Sequence, residues 1–343
     1  MRAVILAGPG EVRVENVPDP RLLDEDDAIV EVRRTAICGS DLPAFHGMSP
    51  GWEEGTILGH EFVGVVTEVG PGVSRIRPGQ RVVCTSTISD GTCPQCRAGR
   101  ATQCQGKLLF GHSGLFPRLD GGQAELVRVP RADYCLLPLP EEVSDEAGVF
   151  LGDILPTAYG AVLRSDVRVG DTVVVVGCGP VGLMAVLCAR GVAGRLIAVD
   201  AIPARRELAA RLGAEAVEPE AAAEAVAAAT GGIGADVVIE AAGSPVALDT
   251  AVRLARGRGT VSVVGMHFER DYPLDHGLLF EHELTLRFTL GDPAAYRERL
   301  LAIVAAGRLD PTETITHRLP LASAPEAYRL FDAREATKVM LET

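Results

Sequence analysis

Three cysteines lie close together in the stretch DGTCPQCRAGRATQC, and their type and spacing indicate metal binding. Cys93, Cys96 and Cys104 follow the pattern C-x2-C-x7-C. Thiolates are favoured zinc ligands, and a structural zinc site is almost always four-coordinate, so a fourth ligand is needed. The eight cysteines of this 343-residue chain are not arranged like a disulfide framework, and a tight cluster in a large chain favours metal. Spacing alone leaves the fourth ligand open.

A second set of metal-ligating residue types lies upstream. Cys38 stands in ICGSD, and His60 and Glu61 stand in GHE, each after a strand-like segment. A lone cysteine or histidine is more often a core or surface residue, but together they fit an open zinc site. In such a site three protein ligands leave one position for a substrate. The spacing does not identify the third ligand.

A glycine pattern typical of dinucleotide binding occupies the middle of the chain. VVVVGCGPVG carries G-x-G-x-x-G after an apolar strand and before a helical stretch. The first glycine permits the turn, the second lets the backbone approach a pyrophosphate, and the third lets helix and strand pack closely. Asp200 ends the next strand and favours NAD over NADP, while Arg205 keeps NADP as an alternative. The predicted cofactor residues of the loop are Gly177, Gly179, Pro180, Val181 and Gly182.

Two kinds of predicted structure carry these residues. The first half of the chain is rich in short β-type runs such as AIVEVR and FVGVVTEV, which predict a β-rich domain. Further on, apolar strands such as TVVVVG alternate with helical stretches, which predicts a doubly wound parallel sheet. The closing residues return to mixed composition. We therefore predict a catalytic domain, 1–153 and 290–343, interrupted by a nucleotide-binding domain, 154–289.

Composition restricts the class of protein further. The net charge of −13 argues against a nucleic-acid or anionic-membrane surface. The opening run MRAVILAG is too short for a signal peptide or a spanning helix, and no other window is apolar over roughly eighteen residues. We expect a cytoplasmic protein with a small-molecule partner and neither nucleic acid nor membrane.

Together these motifs resemble a known family. ICGSD, GHEFVG, the clustered cysteines, the glycine loop and the closing KVML resemble the zinc-dependent medium-chain alcohol dehydrogenases over essentially the whole chain. LLFG, DGGQAELVRVP and FLGDILPTAYGAV are most similar to its glutathione-independent formaldehyde dehydrogenase branch. The resemblance implies an α/β fold with a GroES-like catalytic domain split around a Rossmann domain. It also implies catalytic and structural zinc ions, NAD, and a homodimer or homotetramer joined near ELTLRFTL.

The resemblance assigns roles at the catalytic zinc. Cys38 and His60 are ligands, and the third is Asp153 of GDILPTAY, where other branches carry Glu or Cys. Glu61 would move onto the metal when substrate leaves. Ser40 would take the proton of the alcohol.

Relay and cofactor positions follow in the same way. Relatives often place a proton-relay histidine where this chain has Pro43, so water or His46 would pass the proton to solvent. The further cofactor residues implied are Thr157, Gly265 and Met266 near the nicotinamide and Lys338 at the pyrophosphate.

In the family the structural lobe carries four cysteines, and here Asp90 occupies the first position. A carboxylate also binds zinc, although it is a harder ligand than thiolate. The favoured ligand set is therefore Asp90, Cys93, Cys96 and Cys104. Two alternatives stay open: Cys84 as the fourth ligand, or a lobe that has lost its zinc.

The implied reaction is oxidation of an alcohol to a carbonyl by hydride transfer to NAD, with zinc as Lewis acid. An acidic protein with a polar entrance to its substrate pocket favours a substrate that carries several polar groups. We therefore expect oxidation of a secondary hydroxyl of a polyol, sugar or aminosugar. The alternatives are a simple alcohol or formaldehyde dehydrogenase, and a zinc-free NADPH quinone or enoyl reductase on the same scaffold. The candidate pocket residues are Trp52, Thr87, Phe110, His112 and His267.

Overall fold

The chain divides into two compact units. The computed structural model describes residues 1–114, 116–269, 271–272 and 274–343. One unit comprises Met1–Pro156 with Asp292–Thr343, and the other comprises Thr157–Gly291. The inserted unit thus begins at residue 157 and ends at residue 291, whereas the sequence predicted boundaries at 154 and 289. The first boundary differs because it falls inside a continuous helix, Ile154–Arg164.

The strands and helices of the described residues are mostly short. The strands are β1 (Arg2–Gly8), β2 (Glu11–Asn16), β3 (Ala28–Ala36), β4 (Glu61–Val69), β5 (Arg81–Cys84), β6 (Thr87–Ile88), β7 (Leu108–Leu109), β8 (Leu126–Val129), β9 (Leu136–Pro138), β10 (Thr172–Val176), β11 (Arg195–Val199), β12 (Glu215–Val217), β13 (Ala235–Glu240), β14 (Ala255–Val263), β15 (Thr285–Phe288), β16 (His317–Pro320) and β17 (Val339–Glu342). The α-helices are α1 (Leu42–Phe45), α2 (Pro94–Arg97), α3 (Ala132–Cys135), α4 (Asp145–Phe150), α5 (Ile154–Arg164), α6 (Pro180–Ala189), α7 (Pro203–Arg211), α8 (Ala222–Thr230), α9 (Pro245–Leu254), α10 (His276–Glu281), α11 (Pro293–Ala305) and α12 (Ala324–Asp332). None of these helices has the length and apolar character needed to cross a membrane.

The unit formed by residues 1–156 and 292–343 is β-rich, as predicted. Its main sheet has the order β16-β17-β3-β4-β5-β9, with β8 also paired to β3. β3 combines β-branched residues with a mostly buried face, which suits a central strand. β17 pairs antiparallel with β3, placing Met340 opposite Ala36. The closing segment of the chain therefore completes the sheet that the first segment begins.

The unit formed by residues 157–291 is a parallel α/β sheet, again as predicted. The strand order is β12-β11-β10-β13-β14-β15, and each neighbouring pair is parallel. All five residues of β10, TVVVV, are buried, as expected for a strand covered by helices on both faces. The strand order reverses between β10 and β13, which is where such sheets bind ligands at their carboxyl edge.

Arg297 joins the two chain segments of the β-rich unit. It lies on α11, and its guanidinium donates hydrogen bonds to the backbone carbonyl oxygens of Tyr134 and Cys135. The residue is buried, and a buried cation is costly unless polar atoms surround it. These carbonyl groups therefore restrict where α11 can lie within its unit.

We expect Arg297→Ala to lower the free energy of unfolding by about 1–3 kcal/mol, because the carbonyl oxygens of Tyr134 and Cys135 each lose one hydrogen-bond donor. Urea denaturation followed by circular dichroism measures the change. Arg308→Ala is the control, since Arg308 is exposed just after the same helix and surface changes stay within about 0.5 kcal/mol. Equal effects of the two substitutions would contradict the role of Arg297.

Candidate functional site

Two neighbouring strand ends bring the candidate metal ligands together. β3 and β4 are antiparallel, with Ala36 opposite Glu61. Cys38 lies just beyond the end of β3 and His60 just before β4, so both occupy the same edge of the sheet. Oδ2 of Asp153 lies 3.6 Å from Sγ of Cys38 and 3.5 Å from Nε2 of His60. The structure therefore groups the three residues that the resemblance assigned to one metal.

The carboxylate of Asp41 holds two of these ligands. Its Oδ2 accepts the backbone N–H of Cys38 at 2.9 Å, and its Oδ1 lies 3.1 Å from Nδ1 of His60. Contact at Nδ1 directs Nε2 toward the ligand set. Burial alone lowers the pKa of His60, but the charges of Asp41 and Cys38 and a hydrogen bond with Asp153 raise it well above its usual value. Sequence analysis missed Asp41, although a polar residue three positions after Cys38 is a typical capping signal.

Two hydroxyl groups contact the ligand set. Ser40 Oγ donates to Sγ of Cys38 at 3.3 Å and lies 3.1 Å from Nε2 of His60. Ser86 Oγ donates to Oδ1 of Asp153 at 2.8 Å. This second bond orients the carboxylate so that Oδ2 is the oxygen nearest the cysteine and the histidine. The hydroxyl of Ser40 therefore contacts two of the candidate ligands, Cys38 and His60.

Lys338 and Glu61 form an ion pair beside the set, and both residues are 0% exposed. The ammonium group of Lys338 contacts Oε2 of Glu61 and donates to the carbonyl oxygen of Ile37 at 3.1 Å. Burial raises the pKa of Glu61, and the charge of Lys338 opposes this effect in part. The resemblance assigned Lys338 to the pyrophosphate, and sequence analysis missed its contact with Glu61, which lies 277 positions away. The pyrophosphate role stays a prediction.

The donor atoms fit a zinc ion. The ligand atoms of Cys38, His60, Glu61 and Asp153 all lie within 4.8 Å of one another. Sulfur, nitrogen and oxygen are the donors that zinc accepts. Oε1 of Glu61 is buried and has no hydrogen-bond partner among the described residues, so it is available as an additional oxygen ligand. Burial raises the pKa of the Cys38 thiol, and a bound cation would offset that effect.

A second group of ligand atoms lies in the segment from Asp90 to Cys104, called the lobe below. The ligand atoms of Asp90, Cys93, Cys96 and Cys104 also lie within 4.8 Å of one another. Oδ1 of Asp90 accepts the N–H groups of Thr92 and Cys93 at 2.8 Å each. These bonds, above all the one from Cys93, hold the pKa of Asp90 below its usual range. The carboxylate therefore occupies the position of the fourth ligand, and the set fits zinc.

The residues considered as an alternative zinc ligand and as a proton relay have other surroundings. Cys84 ends β5 and pairs with Leu136, and within the described chain it is not part of the lobe's ligand group. His46 Nε2 lies 2.8 Å from Oδ1 of Asp332, and the pair is exposed to solvent. Pro43 lies in the short helix α1.

The predicted phosphate loop has the geometry that its glycines require. Gly177 has φ of +93°, and a Cβ there would lie 2.7 Å from the amide nitrogen of Ala242. A Cβ at Gly182 would collide with the carbonyl oxygen of Gly177. Gly179 is the N-cap of α6, which begins at Pro180. The loop thus turns tightly and presents the start of a helix, which favours anions.

Asp200 follows β11 and braces this loop. Its Oδ2 accepts the N–H of Cys178 at 2.7 Å, and its Oδ1 accepts the N–H of Ile202 at 2.8 Å. Nη1 of Arg205 lies 4.0 Å from Oδ2. In this topology the position receives the adenosine ribose. The acid suits a free ribose and the guanidinium suits a 2′-phosphate, so the geometry accommodates NAD or NADP.

The residues predicted near the nicotinamide lie in the same unit. Thr157 packs closely against Gly291. Gly265 and Met266 follow β14, and both contact Gly243 across the turn after β13. Their roles at the nicotinamide stay predictions.

Two of the predicted pocket residues, Trp52 and His112, are neighbours, whereas the prediction that Phe110 lines the pocket is wrong. The rings of Trp52 and His112 meet edge to face at 5.7 Å. Burial lowers the pKa of His112, and a hydrogen bond with the backbone of Ser113 opposes this effect in part. Phe110 is 0% exposed and packs against Phe62 at 5.1 Å. Phe110 therefore belongs to the core and not to a pocket, because its ring fills the space beside β4.

The remaining pocket predictions have different surroundings. Thr87 lies in β6, where its carbonyl oxygen accepts the hydroxyl of Thr85 at 2.7 Å. His267 lies in the unit formed by residues 157–291, with Nε2 3.0 Å from Oε2 of Glu240. This contact with the acid at the end of β13 places His267 at the carboxyl edge of the parallel sheet. Its assignment to the substrate pocket stays a prediction.

A β-rich unit with a sulfur–nitrogen–oxygen ligand set and a parallel-sheet unit with a glycine loop define a metal-binding, dinucleotide-dependent oxidoreductase. The family model of the alcohol dehydrogenase GroES-like domain matches residues 24–141, and that of zinc-binding dehydrogenases matches residues 180–306. The chain belongs to the zinc-dependent medium-chain alcohol dehydrogenase family.

The likeness extends along the whole chain. A probable zinc-binding alcohol dehydrogenase of Mycobacterium tuberculosis is 38% identical over 99% of this chain and 87% of its own length. Alcohol dehydrogenase TADH from Thermus sp. ATN1 is 41% identical with a TM-score of 0.95, covering 100% and 99% of the two chains. A candidate zinc-binding dehydrogenase from Sinorhizobium meliloti 1021, solved with NADP, is 32% identical with a TM-score of 0.86, covering 100% and 99%. A probable D-xylulose reductase A of Arthroderma otae is 33% identical over 98% of this chain and 96% of its own.

We expect Asp41→Asn to weaken zinc binding at the Cys38 set by about 10- to 100-fold, because an amide cannot accept both hydrogen bonds. Competition with a chromophoric chelator measures the affinity. Asp332→Asn is the matched control, because it alters an aspartate–histidine pair on the surface. The interpretation is wrong if Asp41→Asn retains the wild-type zinc affinity.

Proposed function

We propose that the protein oxidises an alcohol to a carbonyl compound in a zinc-dependent, NAD-linked reaction. The proposal rests on the Ser40 hydroxyl, which lies 3.3 Å from Sγ of Cys38 and 3.1 Å from Nε2 of His60. A hydroxyl at this position can accept the proton of an alcohol held among the ligands. Zinc, when bound, supplies a Lewis acid that favours loss of that proton.

Other residues of the chain orient this arrangement. Asp41 holds the ring of His60, and Ser86 holds the carboxylate of Asp153, so that the donor atoms converge before substrate arrives. The nicotinamide supplies the hydride acceptor. The chain's contribution is therefore preorganisation of the ligands and a route for one proton.

The route from Ser40 toward solvent differs from that of relatives with a relay histidine. Pro43 has no side-chain donor or acceptor, and His46 is engaged by Asp332 on the surface. We propose that water passes the proton outward from Ser40.

NAD is the proposed cofactor because Asp200 presents a carboxylate where the adenosine ribose is expected. Arg205 supports NADP as the alternative, and a related structure was solved with NADP. The same loop glycines serve either dinucleotide.

The proposed substrate is a secondary alcohol of a polyol, sugar or aminosugar. Support comes from the net charge of −13 and from the likeness to a probable D-xylulose reductase. The indole Nε1 of Trp52 is buried and has no acceptor within the described chain, so a substrate hydroxyl could accept its hydrogen bond. A simple alcohol or formaldehyde substrate, as in the branch that the sequence resembles, is the alternative. The two intact ligand sets count against a zinc-free quinone or enoyl reductase.

We further propose a homodimer, or a homotetramer built from two such dimers. β15 lies at the edge of the parallel sheet among the described strands. Phe288 on this strand and Leu290 just after it are 64% and 60% exposed. An exposed apolar edge strand favours pairing with a second copy. Cytoplasmic location and a lack of nucleic-acid or membrane partners stay predictions.

We expect two zinc ions per chain in protein purified without added metal. Asp153→Ala should retain one and lose alcohol oxidation by about 100-fold or more, because one ligand of the catalytic set is missing. Asp90→Ala should also retain one zinc ion, because it loses the zinc of the Asp90–Cys104 set and keeps the zinc of the Cys38 set. Elemental analysis with an NAD-linked alcohol screen gives both results. Turnover by folded, zinc-free protein would favour the reductase.

Phe288→Glu should convert the oligomer to monomer at micromolar concentration, because a charge cannot be buried at a paired edge without a partner. Light scattering after size exclusion measures the mass. Val169→Glu is the control, since Val169 is 90% exposed in a turn before β10. A monomeric wild type would contradict the proposed assembly.

A further inference from the structure

We propose that a cavity in the β-rich unit binds a small oxyanion, a phosphate or carboxylate group, against the buried guanidinium of Arg297. The cavity, called the α11 cavity below, has a volume of about 180 Å³. Residues from three segments line it, 75–76, 133–138 and 294–298, and all of them belong to this one unit. The lining contains none of the candidate zinc ligands and no residue of the glycine loop.

Arg297 brings a buried positive charge to the α11 cavity. The residue is 8% exposed, and Nη1 and Nη2 donate to the carbonyl oxygens of Cys135 and Tyr134. Nε is also buried, and it has no hydrogen-bond partner within the described chain. Carbonyl groups carry no net charge, so they solvate the guanidinium without neutralising it, and a buried cation is costly without a counter-ion. An anion in the cavity would supply both the missing acceptor and the missing charge.

Two further features make the lining of the cavity positive. Arg75 is a second guanidinium of the lining, and this residue is exposed at the mouth of the cavity. Ala294 lies in the first turn of α11, Pro293–Ala305, and the start of a helix carries the positive end of its dipole. Guanidinium groups and helix starts are the groups with which proteins bind phosphates and carboxylates. The lining therefore favours an oxyanion over a neutral ligand.

Two acids also line the cavity, and neither replaces the proposed anion. The carboxylate of Asp133 accepts the hydroxyl of Ser74 and the backbone N–H groups of Ser74, Arg75 and Ile76. Its acceptor capacity is therefore used by the turn before β5. Glu298 is exposed on α11, where water and salt screen its charge. The buried guanidinium thus keeps an uncompensated charge beside an enclosed space.

The volume of the cavity distinguishes a ligand site from a packing defect. A single water occupies about 30 Å³ of liquid volume, so the α11 cavity exceeds the space that one buried water requires. A phosphate or carboxylate group offers several acceptor oxygens at once, which suits donors that reach the cavity from different segments. An oxyanion held there would contact both α11 and the residues around α3 and β9, and would stabilise the folded unit by mass action.

Equilibrium dialysis of the full-length protein against radiolabelled inorganic phosphate tests the proposal, with ionic strength held constant by sodium chloride. Ala294→Asp adds a carboxylate to the lining, at a helix start where an acid does not destabilise the helix. We expect this substitution to weaken phosphate binding at the cavity by about 10-fold or more, because like charges repel in a partly enclosed site. Arg297 is retained, because its substitution also removes the hydrogen bonds to two carbonyl groups.

Ala295→Asp is the matched control, since it adds the same charge at the next residue of α11, which is exposed and outside the lining. Phosphate bound at the glycine loop is common to all three proteins, so only the difference between them reports on the cavity. Wild type and Ala295→Asp should bind about one phosphate ion more per chain than Ala294→Asp. Displacement of this ion by acetate would support a carboxylate as the occupant, and resistance to acetate would support a phosphate. Equal phosphate binding by wild type and Ala294→Asp would overturn the inference, as would an equal loss in both variants.

Discussion

The contact of Asp41 with both Cys38 and His60 is the constraint on which the metal centre depends. One carboxylate connects the turn after β3 to His60, the residue just before β4. The antiparallel pairing of these strands brings the two ligands to one edge, and the contact of Asp41 with Nδ1 orients the ring of His60. Ser86 does the same for the third ligand, Asp153. The donor atoms are therefore held by the protein before any metal arrives.

The same device recurs in the second unit. Glu240 is also a buried acid at the end of a strand, and it also accepts backbone N–H groups while contacting a histidine. In the first unit the imidazole belongs to the candidate metal-ligand set, and in the second it lies at the carboxyl edge of the parallel sheet. Both acids have their cost of burial offset by the hydrogen bonds that order the neighbouring turns.

The features best predicted from the sequence are those formed by residues close together along the chain. The glycine loop, the alternation of strands and helices, and the Asp90–Cys104 group have local spacing that reflects their geometry. Contacts between distant positions were missed: Lys338 with Glu61, and Arg297 with Cys135, 162 positions apart. Phe110 was assigned wrongly because one apolar residue has no local sign of whether it lines a pocket or fills a core. Asp153 needed the family resemblance, since no spacing connects it to Cys38.

The position of Lys338 just before β17 has a consequence for biosynthesis. A ribosome delivers Cys38, His60, Glu61 and Asp153 well before it delivers Lys338 and the strand that follows. During that interval Glu61 has no lysine to balance its charge, and the sheet still lacks β17 beside β3. The β-rich unit can therefore complete its main sheet only after the whole inserted unit has been synthesised.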